Sequence, residues 1–204
     1  LPKHLKVIAG TTDSNAGVLA TLANKNDGIT ILGSTTVIKK FVDKPLSGKG
    51  ISNHKILGNW LCGGASNAGA AILLDFFNLE YIKELSQQIN PYKSTGIELI
   101  PLSQKGERFP INDPNVEPVL EPRPISDSLY LHALLEGLAK IEAQGWNKLI
   151  SLGIKTPKKI ITLGAGAKNP QWRKIRENII NIPIESSYNQ TAYGSALIAM
   201  KGFL

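Results

Sequence analysis

Apolar residues along this chain fall into short runs stopped by glycine, and the spacing inside each run sets the element it predicts. Leu5 to Ala9 reads as a strand ending in Gly10-Thr11-Thr12-Asp13, and Asn15 to Ala23, rich in small residues, reads as a helix. Gly28 to Leu32 and Val37 to Val42 are β-like runs on either side of Gly33-Ser34-Thr35-Thr36, a pattern that predicts a hairpin. Asn59 to Ala65 runs apolar into glycine. Ala68 to Phe77 then places Ile72, Leu73, Phe76 and Phe77 on one helical stripe.

Proline changes the character of the middle of the chain. Pro91, Pro101, Pro110, Pro114, Pro118, Pro122 and Pro124 leave only Leu79 to Ile89 as a helix and predict an irregular arm over about 90–125. A long helix follows, with Ser126 and Asp127 as capping residues and Leu131, Leu134, Leu135, Leu138 and Ile141 at helical spacing. A kink is expected near Gly145 and an end at Gly153. Lys158 to Leu163 is a buried-strand pattern, Gly164 to Asn169 a turn of small residues, and Pro170 opens a helix to about Ile180, where its missing N–H does no harm. Asn181 to Ile184 gives a short strand, and Thr191 to Met200 a closing helix. Strand, glycine turn, helix and strand in succession predict an α/β domain with a partly parallel sheet.

Composition narrows the classes. At 204 residues, with 42% hydrophobic and 19% charged residues, the chain can bury a core and is not generally disordered. Its one cysteine, Cys62, has no partner for a disulfide, a zinc ribbon or a redox pair, which favours a reducing compartment: cytoplasm, or plastid in a plant. The net charge of +7 invites an anionic partner, yet the basic residues are scattered, with no block longer than pairs such as Lys39-Lys40 or Lys158-Lys159. A basic nucleic-acid-binding domain is therefore the weakest reading. The longest uncharged stretch, Ile56 to Leu74, is interrupted by polar residues and glycines, so no membrane span is expected. Opening on Leu1-Pro2-Lys3 without methionine, the sequence reads as a piece of something longer.

Three small-residue turns follow apolar strands, at 33–36, 63–69 and 164–169. Backbone N–H groups in such turns can cradle phosphate, with hydroxyls of Ser34, Thr35 and Thr36 as further donors; equally, the glycines can simply permit tight turns. No Walker loop and no dinucleotide fingerprint is present. Asp13, after a strand and a Gly-Thr-Thr turn, suits a carboxylate accepting a hydroxyl proton during phosphoryl transfer, or a helix N-cap. His4, His54 and His132 lack metal spacing, and Cys62 reads as a buried small hydrophobe. Gly106-Glu107-Arg108 with Asp113 reads as a local salt-bridged turn that could alternatively reach a ligand.

In their order, Ala-Gly-Thr-Thr-Asp (9–13), Leu-Gly-Ser-Thr-Thr (32–36), Gly-Glu-Arg-Phe-Pro-Ile-Asn-Asp-Pro (106–114), Leu-Gly-Ala-Gly-Ala-Lys-Asn with Trp172 (163–172) and Tyr193-Gly194-Ser195-Ala196-Leu197 resemble the carboxy-terminal half of the FGGY carbohydrate kinases. Trp60 to Asn67 and the Gly106 to Pro110 segment look more narrowly like the D-ribulose kinases of plants and cyanobacteria, a branch also labelled xylulose-kinase-like. The resemblance covers nearly the whole chain. It implies a ribonuclease-H-like domain of the actin, hexokinase and Hsp70 superfamily, a mixed sheet flanked by helices, spanning 1–204. It further implies Asp13 as catalytic base holding the sugar hydroxyl. Gly33, Ser34 and Thr35 would meet the nucleotide phosphates, Gly69 would back the pocket, and Gly164, Ala165, Gly166, Ala167, Lys168 and Asn169 would wrap the adenosine and α-phosphate. ATP and Mg2+ are the implied cofactors, a ketopentose the substrate, and an amino-terminal sugar-binding domain the missing partner, without which this chain is expected to phosphorylate little. A xylulokinase and a non-catalytic nucleotide-binding remnant are the alternatives.

Overall fold

A computed structural model describes residues 6–201. In chain order they form α1 (Asp13–Ala20), β1 (Gly28–Leu32), β2 (Thr36–Val42), β3 (Ser52–Ile56), β4 (Asn59–Ala65), α2 (Ala71–Leu74), α3 (Leu79–Gln87), α4 (Asp127–Ser151), β5 (Ile160–Leu163), α5 (Pro170–Ile180), β6 (Ile184–Ser186) and α6 (Thr191–Lys201). The strands make one mixed sheet in the order β3-β4-β2-β1-β5-β6. β1, β5 and β6 run parallel, while the β1/β2, β2/β4 and β3/β4 pairs are antiparallel.

Alternation along β1 shows how the sheet is covered. Ile29 and Ile31 join Val18 and Leu19 of α1 in one apolar cluster, whereas Thr30 points the other way and donates to Glu142 of α4 at 2.7 Å. Helices α1 and α6 therefore cover one face, and α4 and α5 the other. Helix α4 is the centre of the larger core: Tyr130, Leu131, Leu134, Leu135 and Leu138 pack there with Leu85 of α3 and Trp172 and Ile175 of α5. Ser126 caps it, its side chain accepting from Leu129 N.

Several expectations need correction. Residues 6–9 form no strand, since β3 and β6 are the sheet edges and neither pairs with them; Leu5 lies outside the described residues. The stripe at 68–77 yields only the short α2. Helix α4 runs uninterrupted through Gly145, whose lack of a side chain seats Ile38 and Phe109: an added Cβ would lie 2.5 Å from Ile38 Cδ1. Lys39 and Lys40, one of the scattered basic pairs, are both buried. Lys40 Nζ donates to the carbonyls of Lys25 (2.6 Å) and Asp27 (3.3 Å), and Lys39 Nζ to Ser52 Oγ (2.9 Å). Nor is the 106–113 segment a salt-bridged turn. Glu107 and Asp113 face each other only through backbone hydrogen bonds, and the Glu107 side chain reaches out of the arm instead.

Candidate functional site

The three small-residue loops emerge at one end of the sheet. β1 and β5 are parallel with Ile31 opposite Leu163, so the turns after Leu32 and Leu163 leave side by side. β4 is antiparallel to β2, which is antiparallel to β1, so β4 runs the same way as β1. The pairing of Val37 with Ala65 then brings loop 66–70 to that end too. Backbone hydrogen bonds join loop 66–70 to the 33–36 turn: Thr36 N donates to Ala68 O (2.7 Å), Ser66 N to Thr36 O (2.9 Å) and Ala70 N to Gly33 O (2.9 Å). This approach is close enough to demand glycine at 69, where an added Cβ would stand 2.3 Å from Ser34 O and 2.5 Å from Thr35 Cα. Gly164 is similarly constrained, with φ +98° and a Cβ position 2.4 Å from Leu32 O.

Donors are available on the rim of this assembly. Ser34 is exposed and Thr35 half-buried, and among the described residues their backbone amides meet no protein acceptor. Gly33 N, by contrast, is engaged with Thr35 O at 3.1 Å. The 164–169 segment is tighter than a simple turn, with a 3-10 helix over Ala165–Lys168. Ala165 and Lys168 face solvent, and Ala167 is buried. Asn169 is committed to the fold: Oδ1 caps α5 by accepting from Trp172 N at 3.0 Å, and Nδ2 donates to Ser86 Oγ of α3 at 2.8 Å.

Asp13 is the first residue of α1, exposed, and its carboxylate accepts from Ser14 N at 2.7 Å. The cap itself is Thr12, whose hydroxyl accepts from Asn15 N, so the N-cap alternative for Asp13 does not hold. One turn further, a Cβ at Gly17 would lie 2.9 Å from Leu163 Cδ1, so α1 passes the last residue of β5 about 6 Å of helix rise from Asp13. Asp13 thus lies on an element of its own that abuts the strand leading into 164–169. Among the described residues no hydrogen bond joins it to the other candidates.

The remaining candidates are structural. Cys62 is buried with its thiol donating to Asn53 Oδ1 at 2.6 Å, and burial pushes its pKa up, away from thiolate reactivity. His54 and His132 sit on separate elements with pKa values lowered by burial; His4 lies outside the described residues. Among the described residues no group of three or more His, Cys, Asp or Glu could hold a metal, and no helix is long and apolar enough to cross a membrane. A cavity of about 590 Å³ lies between α1, α6 and the β2–β4 strands, lined by Leu19, Phe41, Ile56 and Leu197, and includes none of the loop residues.

Comparison with known proteins agrees with this architecture. Residues 28–203 match the model of the FGGY family of carbohydrate kinases, C-terminal domain. Among solved structures, the xylulose kinase of Lactobacillus acidophilus superposes with a TM-score of 0.79 at 20% identity, over 95% of this chain and 42% of that one. The xylulose kinase of Rhodospirillum rubrum also gives 0.79 at 20% identity, over 100% of this chain and 44% of that one. Plasmodium falciparum glycerol kinase, solved with ADP, gives 0.74 at 18% identity, over 91% and 40%. The chain spans less than half the length of the kinases it matches, and the likeness at this identity is one of fold: a mixed sheet flanked by helices, of the actin and hexokinase kind. The match over 28–203 shows that the chain belongs to the FGGY family of carbohydrate kinases, with the character of its C-terminal domain.

Proposed function

We propose that this chain is the nucleotide-binding half of an ATP-dependent ketopentose kinase, that D-ribulose is the acceptor and D-ribulose 5-phosphate the product. The observation that carries the reading is the convergence of the 33–36, 66–70 and 164–169 loops at one sheet end, where the Ser34 and Thr35 amides and hydroxyls meet no partner among the described residues. That donor set fits a chain of phosphates, so ATP would be held by Gly33, Ser34 and Thr35, backed by Gly69 and bordered by 164–169. When bound, ATP supplies the transferable phosphoryl group. Asp13 holds the acceptor hydroxyl of the sugar and takes its proton on Oδ, a role suited to an exposed carboxylate with one backbone donor. The described residues offer no carboxylate cluster for Mg2+, so the ion would have to arrive on the phosphates, and no step here is assigned to it. A cleft needs a second wall to exclude water and align two substrates, and we assign that wall to an amino-terminal domain of the length these relatives carry beyond this chain. Xylulose is the second reading, favoured by the fold likeness to two xylulose kinases.

The test joins the chain to an amino-terminal FGGY half and follows ADP release with D-ribulose and D-xylulose. Turnover with D-ribulose, falling by about 10²–10⁴ in kcat in Asp13→Asn, is the expected result. No turnover of any pentulose, or full activity in Asp13→Asn, overturns the reading; preference for xylulose replaces the substrate.

A further inference from the structure

Taking the nucleotide-half reading as its basis, we propose that Glu107 is a positioning residue for the phosphate-facing turn 33–36 and acts on it through loop 66–70. Glu107 lies in the proline-rich arm, only 4% exposed. Among the described residues its carboxylate meets no cation; its charge is answered by three donors, Ser66 Oγ at 2.6 Å, Asn67 N at 2.7 Å and Phe109 N at 3.2 Å. Neighbouring arm residues complete the grip. Asn67 Nδ2 donates to Gly106 O (2.9 Å) and Arg108 Nε to Asn67 Oδ1 (2.6 Å). A buried carboxylate held by neutral donors is an expensive way to fix an arm, since an apolar side chain would avoid the desolvation. What it supplies instead is direction, because three donors from two segments must converge on two oxygens.

The far side of the gripped residues is the site. Ser66 Oγ, while donating to Glu107, also accepts from Ala68 N at 2.9 Å. Ala68 O in turn accepts from Thr36 N, and Ser66 N donates to Thr36 O. Two residues later, Ala70 N donates to Gly33 O. The turn itself has one internal backbone hydrogen bond, Gly33 N to Thr35 O, so most of what fixes its rim comes from loop 66–70. Phe109 gives the arm a rigid footing: it is 1% exposed, and Cβ atoms added at Gly64 or Gly145 would strike its ring at 2.3 and 2.8 Å. Glu107, Ser66, Ala68 and Thr36 thus form a continuous path from arm to turn.

A merely structural anchor of the same kind exists for comparison. Glu136 of α4, also buried, accepts from Thr95 N and Thr95 Oγ1 and ties down the start of the arm without touching the loops. Glu107→Ala, Glu107→Gln, Ser66→Ala and Glu136→Ala are compared on this chain by ADP titration calorimetry, urea unfolding and amide hydrogen exchange at 33–36 and 66–70. Glu107→Ala should weaken ADP by about tenfold, the scale of one charge-assisted hydrogen bond, and speed exchange across both loops. Glu107→Gln, which keeps an acceptor for the two amides, should recover most of that affinity. Ser66→Ala removes only the hydroxyl relay and should speed exchange at Thr36, which decides the matter if Glu107→Ala does not fold. Glu136→Ala should lose stability yet leave ADP affinity and exchange at 33–36 unchanged. Unchanged exchange at 33–36 in both Glu107→Ala and Ser66→Ala overturns the positioning role, as does an equal loss of affinity in Glu136→Ala. Should the parent chain bind no ADP while the exchange responses hold, the nucleotide-half reading fails and the positioning of the turn stands.

Discussion

Beneath the loops, Glu142 of α4 and Arg176 of α5 form an ion pair in which each side chain is 1% exposed. Arg176 Nε donates to Glu142 Oε2 (2.5 Å) and Nη2 donates to Glu142 Oε1 (2.8 Å) and Thr162 Oγ1 (3.0 Å). Thr30 Oγ1 (2.7 Å) and Trp146 Nε1 (3.4 Å) also donate to Glu142, so one pair ties two helices to β1 and β5. Arg176→Met leaves a buried carboxylate with two neutral donors, a change that costs about 3–5 kcal/mol. At about 2–4 °C per kcal/mol for a domain of this size, the melting temperature should fall by about 6–20 °C. Glu142→Leu strands the guanidinium and should cost a similar amount. The double variant buries no charge and leaves only neutral groups, the Thr30 and Thr162 hydroxyls and the indole N–H of Trp146, without these partners. It should therefore be more stable than the sum of the singles by at least about 2 kcal/mol. Urea unfolding followed by tryptophan fluorescence measures all four corners of the cycle, with Trp146 beside the pair as reporter. A coupling within about 0.5 kcal/mol of zero would refute the claim that the two charges act as one unit.

Two further predictions concern the opposite face. Burial holds Lys39 down to about 8, against 10.5 when free, so between those values the unfolded chain binds more protons and stability rises with pH. Lys39→Met should be more stable than the parent below pH 8 and should lack this rise, at most about 1.4 kcal/mol per pH unit; parallel slopes in the two proteins would disprove it. Gly194→Ala would set a Cβ 1.8 Å from Ala16 O, forcing α6 away from α1 at a cost of about 1–3 kcal/mol and loosening the helix that carries Asp13. A parent-like melting temperature and unchanged protection of the α1 amides would contradict that packing.

Elements written in local pattern were legible. The 28–42 hairpin, the 160–163 strand and the proline-started α5 each follow from a few adjacent residues. β3 was not legible, because Ser52-Asn53-His54-Lys55-Ile56 has no apolar alternation. Its place comes from pairing with β4 and from Asn53, whose amide donates to Leu46 O and accepts from Leu46 N across a loop. Charge was the least readable property. Lys39, Lys40, Glu107, Glu142 and Arg176 resemble ordinary surface residues in a linear chain, yet all are buried, because their partners stand on other strands, helices or the arm. Long-range hydrogen bonding leaves no period in the sequence, so the arm's grip on loop 66–70 had no signal beyond the motif itself.

The three loops were each visible as glycine-rich turns, and the choice between turn-forming glycine and phosphate cradle proves too coarse. At Gly69 and Gly164 the space that a side chain would fill is taken by protein backbone, at Ser34 and Leu32, and not by an opening toward ligand. Those two glycines let the loops approach one another. On the proposed nucleotide-half reading, the groups that would meet an anion are on the residues next to them: the amides and hydroxyls of Ser34 and Thr35, and the exposed faces of Ala165 and Lys168. A substitution at Gly69 or Gly164 should therefore act on the proposed site by moving a loop, whereas one at Ser34 or Thr35 should remove a hydroxyl donor and leave the loops in place. The sheet makes this division possible, since β1, β4 and β5 point the same way and a single return strand, β2, separates β4 from β1.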